Sequence, residues 1–393
     1  MRIAETTSTS RILSDVTLTP PPSGGGFSVI MAKIAHIADV HLRDRQYALS
    51  CRGEDFYIAL SNAVNAAINE GADAIICAGD LFDINRPSAD NVSHRLKRLN
   101  NHLKEKKIPM FVTSGNHDPA CATWIKIYDG DESGGIMPID HKTVSIGDVK
   151  ITGIPFCTPS NFKQELSDID PADIVVWHGD ISEFLPYPSE DCVSLNDIPE
   201  NKFKILAMGH LHIHSKKVRS SDGLIVTYPG STELCSLSED VCKQMYLYTF
   251  DDKAKLVSVQ SVPFETREVQ KFILRTELDL ENCITGIKPG TMVFVGYDRT
   301  IPNVIPRINV VLGSDNIFRP YLLPTEKEKL ILSSTEHVTT VTDYLKDHIK
   351  DVVDNDVAER IEELCLACVD SKVDHRFVLE KLVATRLNTT TIS

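Results

Sequence analysis

The sequence contains no run of about 18 or more apolar residues, so it offers no segment for a membrane-spanning helix. Positive charge is also scarce: 41 Lys and Arg face 55 Asp and Glu, a formal net charge of −14. That balance excludes a protein that coats nucleic acid through bulk basicity, and leaves open an enzyme whose basic surface is local. No disulfide framework is present. The 10 cysteines sit singly, mostly inside apolar runs such as Ala74–Ala78, a usage that suits a reducing cytoplasm. The C-x-x-C pair, Cys365 and Cys368, falls on one apolar helix stripe with Ile361 and Leu364 and reads as a packed face rather than a metal or redox pair. No internal repeat stands out. Residues 1–30 lack a periodic apolar face and the continuous apolar stretch of a signal peptide. Their Thr- and Ser-rich start and the run Pro20-Pro21-Pro22-Ser23-Gly24-Gly25-Gly26 predict a disordered N-terminal extension, with the folded protein starting at Met31.

From Met31 the pattern alternates. Lys33–Ala38, Ala74–Ala78 and Pro109–Thr113 read as buried strands, separated by helical runs at Asp55–Glu70 and Asp90–Lys106. After Met137 short strands dominate: Thr143–Ile146, Val149–Ile154, Asp173–Trp177, Lys204–Met208, Gly223–Tyr228, Gln244–Phe250 and Lys255–Ser261. Two strand-rich halves sharing one core predict an α/β fold with sheet packed on sheet and helices outside. Pro263–Glu268 reads as a boundary. Lys271–Glu277 and Thr291–Tyr297 then predict strands of a small α/β domain, and residues 325–393 carry helical apolar spacing.

Five motifs fall at predicted strand ends: Asp39-Val40-His41, Gly79-Asp80-Leu81-Phe82-Asp83, Gly115-Asn116-His117-Asp118, Trp177-His178-Gly179-Asp180 and Gly209-His210-Leu211-His212. Each follows an apolar run, so their polar side chains emerge together at the carboxyl edge of a sheet, where open α/β folds hold ligands. A single D-x-H means little, and His36, His94, His102, His141, His337 and His375 read as structural. Five in order, rich in His, Asp and Asn and free of Cys, point to first-row divalent ions.

This set resembles the calcineurin-like metallophosphoesterases and, within them, the SbcD family, the nuclease half of the SbcC–SbcD DNA-repair complex. Ile37-Ala38-Asp39-Val40-His41-Leu42, Ala78-Gly79-Asp80-Leu81-Phe82-Asp83, Arg86-Pro87-Ser88, Ser114-Gly115-Asn116-His117-Asp118 and Tyr228-Pro229-Gly230-Ser231 carry the likeness. It implies a four-layer α-β-β-α sandwich over residues 31–262, a small α/β capping domain over 263–324 and a C-terminal helical partner-binding region over 325–393. It further implies two divalent ions, Mn2+ by preference. Asp39, His41, Asp80 and His212 would hold one and Asp80, Asn116, His178 and His210 the other, with Asp80 bridging. His117 would stabilise the transition state and protonate the leaving oxygen, with Asp118 orienting its ring. Asp83 stands where many family members have a second histidine.

The implied activity is hydrolysis of DNA phosphodiesters, as a double-strand exonuclease and single-strand endonuclease in repair and recombination. The implied partners are an SbcC-like SMC-type ATPase and a second copy of the chain, in the cytoplasm of a bacterium or of a virus's host. Arg86, Arg95, Lys97, Arg98, Lys216 and Lys217 are the candidate DNA contacts, with Arg219 in the same basic cluster. The acidic excess is local too: Glu165–Glu200 holds ten acidic residues and no Lys or Arg. The motifs alone leave open a protein phosphatase, a cyclic-nucleotide phosphodiesterase, or a non-catalytic subunit that tethers DNA ends.

Overall fold

The computed structural model describes residues 30–185 and 192–323. The expected N-terminal extension, the C-terminal helical region and the Cys365/Cys368 pair lie outside these residues, apart from Ile30. Among the described residues no helix is long and apolar enough to cross a membrane.

Two six-stranded sheets make the main unit. The first joins β1 (Ile30–Ile37), β2 (Ala74–Ala78), β3 (Pro109–Thr113), β4 (Gly135–Pro138), β11 (Gln244–Asp251) and β12 (Leu256–Pro263) in the order β12-β11-β1-β2-β3-β4. The second joins β5 (Lys142–Ile146), β6 (Val149–Gly153), β7 (Ile174–His178), β8 (Ile205–Gly209), β9 (Ser215–Val218) and β10 (Ile225–Tyr228) in the order β5-β6-β7-β8-β10-β9. Strands β1 to β4 run parallel, as do β6, β7, β8 and β10.

Strand periodicity assigns each side chain to a layer. On β2, Ile76 enters the core between the sheets while Ile75 and Cys77 face α1 (Ser50–Asn69) and α2 (Lys97–Lys106) on the outer side. On β7, Ile174 and Val176 enter the same central core. Val175 and Trp177 point out, toward Phe162 and Leu166 of α3 (Pro159–Asp168). The five residues of β2, β3, β7 and β8 are all buried, as covered parallel strands require. The layers are therefore helix, sheet, sheet and helix.

Several elements were not visible in the pattern. Helix α1 starts at Ser50 rather than Asp55, a start that no capping side chain marks in the sequence. Edge strands β4 and β9 were missed because Gly135 and Pro138 interrupt one and exposed Lys216 and Lys217 charge the other. The helix expected over Asp90–Lys106 opens with a wide π-helical stretch at Asn91–Leu96, before α2.

The chain divides into two compact units. One takes the described residues up to Gln270 with Lys288–Val293 and Gly313–Ile317; the other takes Lys271–Ile287, Phe294–Leu312 and those from Phe318 on. Three further strands, β13 (Val269–Leu274), β14 (Met292–Tyr297) and β15 (Ile317–Leu322), pair in that order. The strand expected to run to Glu277 stops at Leu274, because Thr276 and Asp279 form a capping box that starts α4 (Glu277–Gly286).

His36 joins the two sheets. From β1 it meets Tyr248 Oη of β11 at 2.7 Å and Thr227 Oγ1 of β10 at 3.4 Å, wholly buried. Burial holds its pKa down, from 6.5 to about 3. The unfolded chain therefore takes this proton near pH 6.5 and the folded core only near pH 3, so the stability due to the neutral ring is complete above 6.5 and drains as pH falls. Urea unfolding should show roughly 2–4 kcal/mol of this loss between pH 6.5 and 4. The variant His36→Leu should flatten that part of the profile; an unchanged slope would refute the assignment.

Candidate metal centre

Beyond β1 and β2 the chain keeps its strand-to-strand contacts without forming regular strands. Asp39 N–H donates to Gly79 O (3.2 Å) and His41 N–H to Asp80 O (2.9 Å). Asp39, His41, Asp80 and His210 adopt φ of 50°, 49°, 50° and 99°. Such left-handed backbone costs about 1–2 kcal/mol per residue and persists where the surrounding structure holds it. The glycines before the ligands have distinct physical reasons. Gly79 has φ of 81°. A Cβ on Gly115 would lie 2.1 Å from Asp80 Oδ1.

Ends of both sheets thus converge on one cluster. Asp80 Oδ2 lies 3.6 Å from His41 Nε2 and 3.4 Å from His178 Nε2, while Asp80 Oδ1 accepts the His117 backbone N–H at 2.9 Å. On one side His212 Nε2 is 3.1 Å from His41 Nε2 and 3.8 Å from Asp39 Oδ1. On the other, Asn116 Oδ1 is 2.8 Å from His178 Nε2 and 3.0 Å from His210 Nδ1. Asp39 also accepts the His210 backbone N–H at 3.0 Å. The seven residues singled out from the motifs all meet here.

The rings are oriented from behind. His178 Nδ1 donates to the Ala78 carbonyl at 2.9 Å, which leaves Nε2 as a lone pair facing Asp80. His212 Nδ1 faces Glu239 Oε1 at 2.9 Å, and that carboxylate also accepts from Ser231, Lys243 and the Cys235 and Ser236 backbone. Lone pairs this close repel unless a proton or a cation lies among them. Proton affinity shows the same crowding. Burial opposes the charged form of His178, but Asp80 and Asp39 outweigh it and raise its pKa to about 9. For His212, Cys235, Glu239 and Asp39 overcome burial and raise it to about 11. Asp80 is held down at about 2, where its histidine partners outweigh burial. The donor set of imidazoles, carboxylates and one amide oxygen fits divalent metal ions.

His117 stands at the rim, exposed, with its ring edge-on to His41 at 4.9 Å between centroids. The expected bond from Asp118 to that ring is replaced. Asp118 is buried and accepts from the backbone N–H of Phe82 (2.9 Å) and Gly115 (2.8 Å), and burial raises its pKa to about 6. Its role is to tie two site loops together. The His117 ring is oriented instead by the Asp83 carbonyl, 3.0 Å from Nδ1. The Asp83 carboxylate pairs with Arg43 at 2.6 Å and lies 3.5 Å from His41 Nδ1.

The basic candidates scatter. Arg86, Lys97 and Arg98 are exposed, Arg98 resting 5.7 Å from the Tyr57 ring. Lys216 and Lys217 lie on the edge strand β9, Lys217 over Phe184 and bonded to the Glu183 carbonyl. Arg95 is drawn inward by Asn91, Glu54, Asp90 and the Arg43 carbonyl. Arg219 is buried in a two-point bond to Asp222 and is structural. Sequence reasoning missed Glu239 and Cys235, which lie on an irregular loop without a spacing signature. The nearest signal was Ser231 of the Tyr228–Ser231 motif, which bonds Glu239.

The calcineurin-like phosphoesterase family model matches residues 32–214, the span that supplies all seven candidate ligands. Residues 32–214 form a calcineurin-like phosphoesterase domain. The chain is homologous to proteins named DNA double-strand break repair protein Mre11: 32% identical over 212 residues to that of Sulfolobus acidocaldarius (51% of this chain, 55% of the relative) and 35% over 216 to that of Sulfurisphaera tokodaii (51% and 54%). The Mre11 of Saccharolobus solfataricus is 29% identical over 293 residues, covering 68% and 76%. The chain spans about half the length of the first of these curated relatives. A solved dimetal phosphatase from Danio rerio aligns over 60% of this chain and 100% of its own, at a TM-score of 0.37 and 13% identity.

Glu239, beyond the matched span, orients the His212 ring through Nδ1. The variant Glu239→Gln should weaken Mn2+ binding by roughly 10–100-fold in calorimetry of the metal-free protein. Affinity within about twofold of the parent would remove Glu239 from the centre.

Proposed function

We propose that this chain is a metal-dependent DNA nuclease of the SbcD type that hydrolyses phosphodiesters at DNA ends with two divalent ions, Mn2+ by preference. Asp39, His41, Asp80 and His212 would hold one ion and Asp80, Asn116, His178 and His210 the other. The observation that carries this reading is one carboxylate oxygen, Asp80 Oδ2, within 3.6 Å of an imidazole from each set. When bound, such a pair supplies a water of lowered pKa and an electrophile for the phosphoryl oxygens.

The chain's own residues do the rest. His117 Nδ1 donates to the Asp83 carbonyl, which leaves Nε2 as the nitrogen to face the phosphate. Protonated there, His117 hydrogen-bonds the phosphate and passes its proton to the leaving oxygen. Exposed Arg86, Lys97, Arg98 and Lys216 are the contacts proposed for the DNA backbone, with Arg95 and Lys217 secondary because each already has protein partners. The names of the homologues support DNA over a phosphoprotein or a cyclic nucleotide. The same reading assigns an SMC-type ATPase partner, a dimer of this chain and a cytoplasmic setting, with residues 325–393 as the docking region.

Linear duplex DNA should be cut in Mn2+, assayed beside a nitrophenyl phosphodiester and a phosphoprotein. Cleavage of the phosphoprotein alone would overturn the nuclease reading, and inactivity toward all three would favour a tethering subunit. The variant His117→Ala should keep metal and DNA binding while cutting about 10²–10⁴-fold more slowly. Loss of its metals would show that the role is misassigned.

A further inference from the structure

Cys235 belongs to none of the motifs, yet its thiol reaches the metal centre. One ring nitrogen each of His41 and His212 and the Cys235 Sγ all lie within 4.8 Å of one another. A tetrahedral ion with bonds of about 2.0–2.1 Å to nitrogen and 2.3 Å to sulfur needs donors roughly 3.3–3.6 Å apart, a spacing small side-chain shifts supply here. Asp39 Oδ1, 3.8 Å from His212 Nε2, is the carboxylate beside this trio.

The thiol is held in place by its backbone. The Cys235 carbonyl accepts from Gln46 Nε2 at 2.8 Å, and its N–H donates to Glu239 Oε2 at 3.1 Å. Glu239 is the same carboxylate that orients His212, so one group sets both donors. Arg52, wholly buried, fastens the neighbouring residue through the Leu234 carbonyl at 3.0 Å and also holds Gln46 at 2.9 Å. The Sγ makes a weak contact with the Glu233 carbonyl at 3.6 Å and interacts with the His212 ring. His41 is 2% exposed; its Nδ1 lies 3.5 Å from Asp83 Oδ1, while its Nε2 faces His212 Nε2 at 3.1 Å.

We propose that Cys235 joins His41, His212 and Asp39 as a thiolate ligand for a thiophilic divalent ion, zinc or cadmium, at the first metal position. This rests on the two-ion reading above and adds a second chemical class of occupant. Manganese favours oxygen and nitrogen donors and gains little from the sulfur; zinc and cadmium gain a strong bond. On binding, the Cys235 S–H bond breaks, a sulfur–metal bond forms and one proton passes to solvent. Zinc would then displace manganese from one half of the pair.

The test is a Cd2+ titration of the metal-free full-length protein, followed by sulfur-to-cadmium charge-transfer absorption. A parallel Zn2+ competition with a chromophoric chelator gives affinities. One equivalent of the band should appear in the parent protein and in Cys242→Ser, whose thiol is exposed. Both Cys235→Ser and Cys235→Ala should lose the band and bind Zn2+ at least about tenfold more weakly, with Mn2+ affinity within about twofold of the parent. Circular dichroism identifies any variant that fails to fold, and the other variant then carries the comparison. A band that persists in the folded Cys235 variants, or no band in a parent that binds Mn2+, would overturn the proposal alone. A parent that binds neither Mn2+ nor Cd2+ would overturn the two-ion reading with it.

Discussion

Everything at the centre is arranged around one buried carboxylate. Asp80 has its Oδ1 fixed by the His117 backbone and its Oδ2 shared between His41 and His178. Those two imidazoles come from different sheets: one follows β1 and the other ends β7. The sheets must therefore pack face to face, with their carboxyl ends aligned, for the carboxylate to see both. The dry core between them, with Ile34, Ile76, Phe111, Val176 and Ala207, sets that alignment. His36 adds a polar tie from β1 to both β10 and β11.

Such a cluster is costly in the folded protein without cations. It gathers buried carboxylates and lone pairs in a low-dielectric region and holds four non-glycine residues in left-handed backbone. The surrounding loops offset part of this by hydrogen bonds: Asp118 fastens the Phe82 and Gly115 backbones, and Glu239 fastens His212, Cys235 and Ser236. The result is a donor set already close to coordination geometry, so little conformational entropy remains to be lost when ions arrive.

Parts of this arrangement were legible in the chain because they depend on local chemistry. A strand buried on both faces must be a short apolar run, so β2 and β3 were readable to the residue, and the polar residues after them could only emerge at a sheet end. Elements at edges were not readable, because β4 and β9 contain the glycine, proline and lysine that protect an edge and imitate a loop. The start of α1, without a capping side chain, was silent for the same reason.

The motifs that hold Asp39, His41, Asp80, Asn116, His178, His210 and His212 were legible in the sequence as polar residues after apolar strands, and the resemblance to the SbcD family picked these seven out as candidate ligands. Which atoms face one another was decided by the tertiary structure. Asp118 and His117 are neighbours in the chain, but opposite side-chain directions send one inward to backbone amides and leave the other at the rim beside Asp83. Arg95 and Arg219 count as basic charge in the sequence, yet folding gives them acidic partners. Glu239 and Cys235 carry no signature at all. They reach the centre because the loop after β10 brings Glu239 against His212, and such long-range closeness is set by packing rather than by spacing.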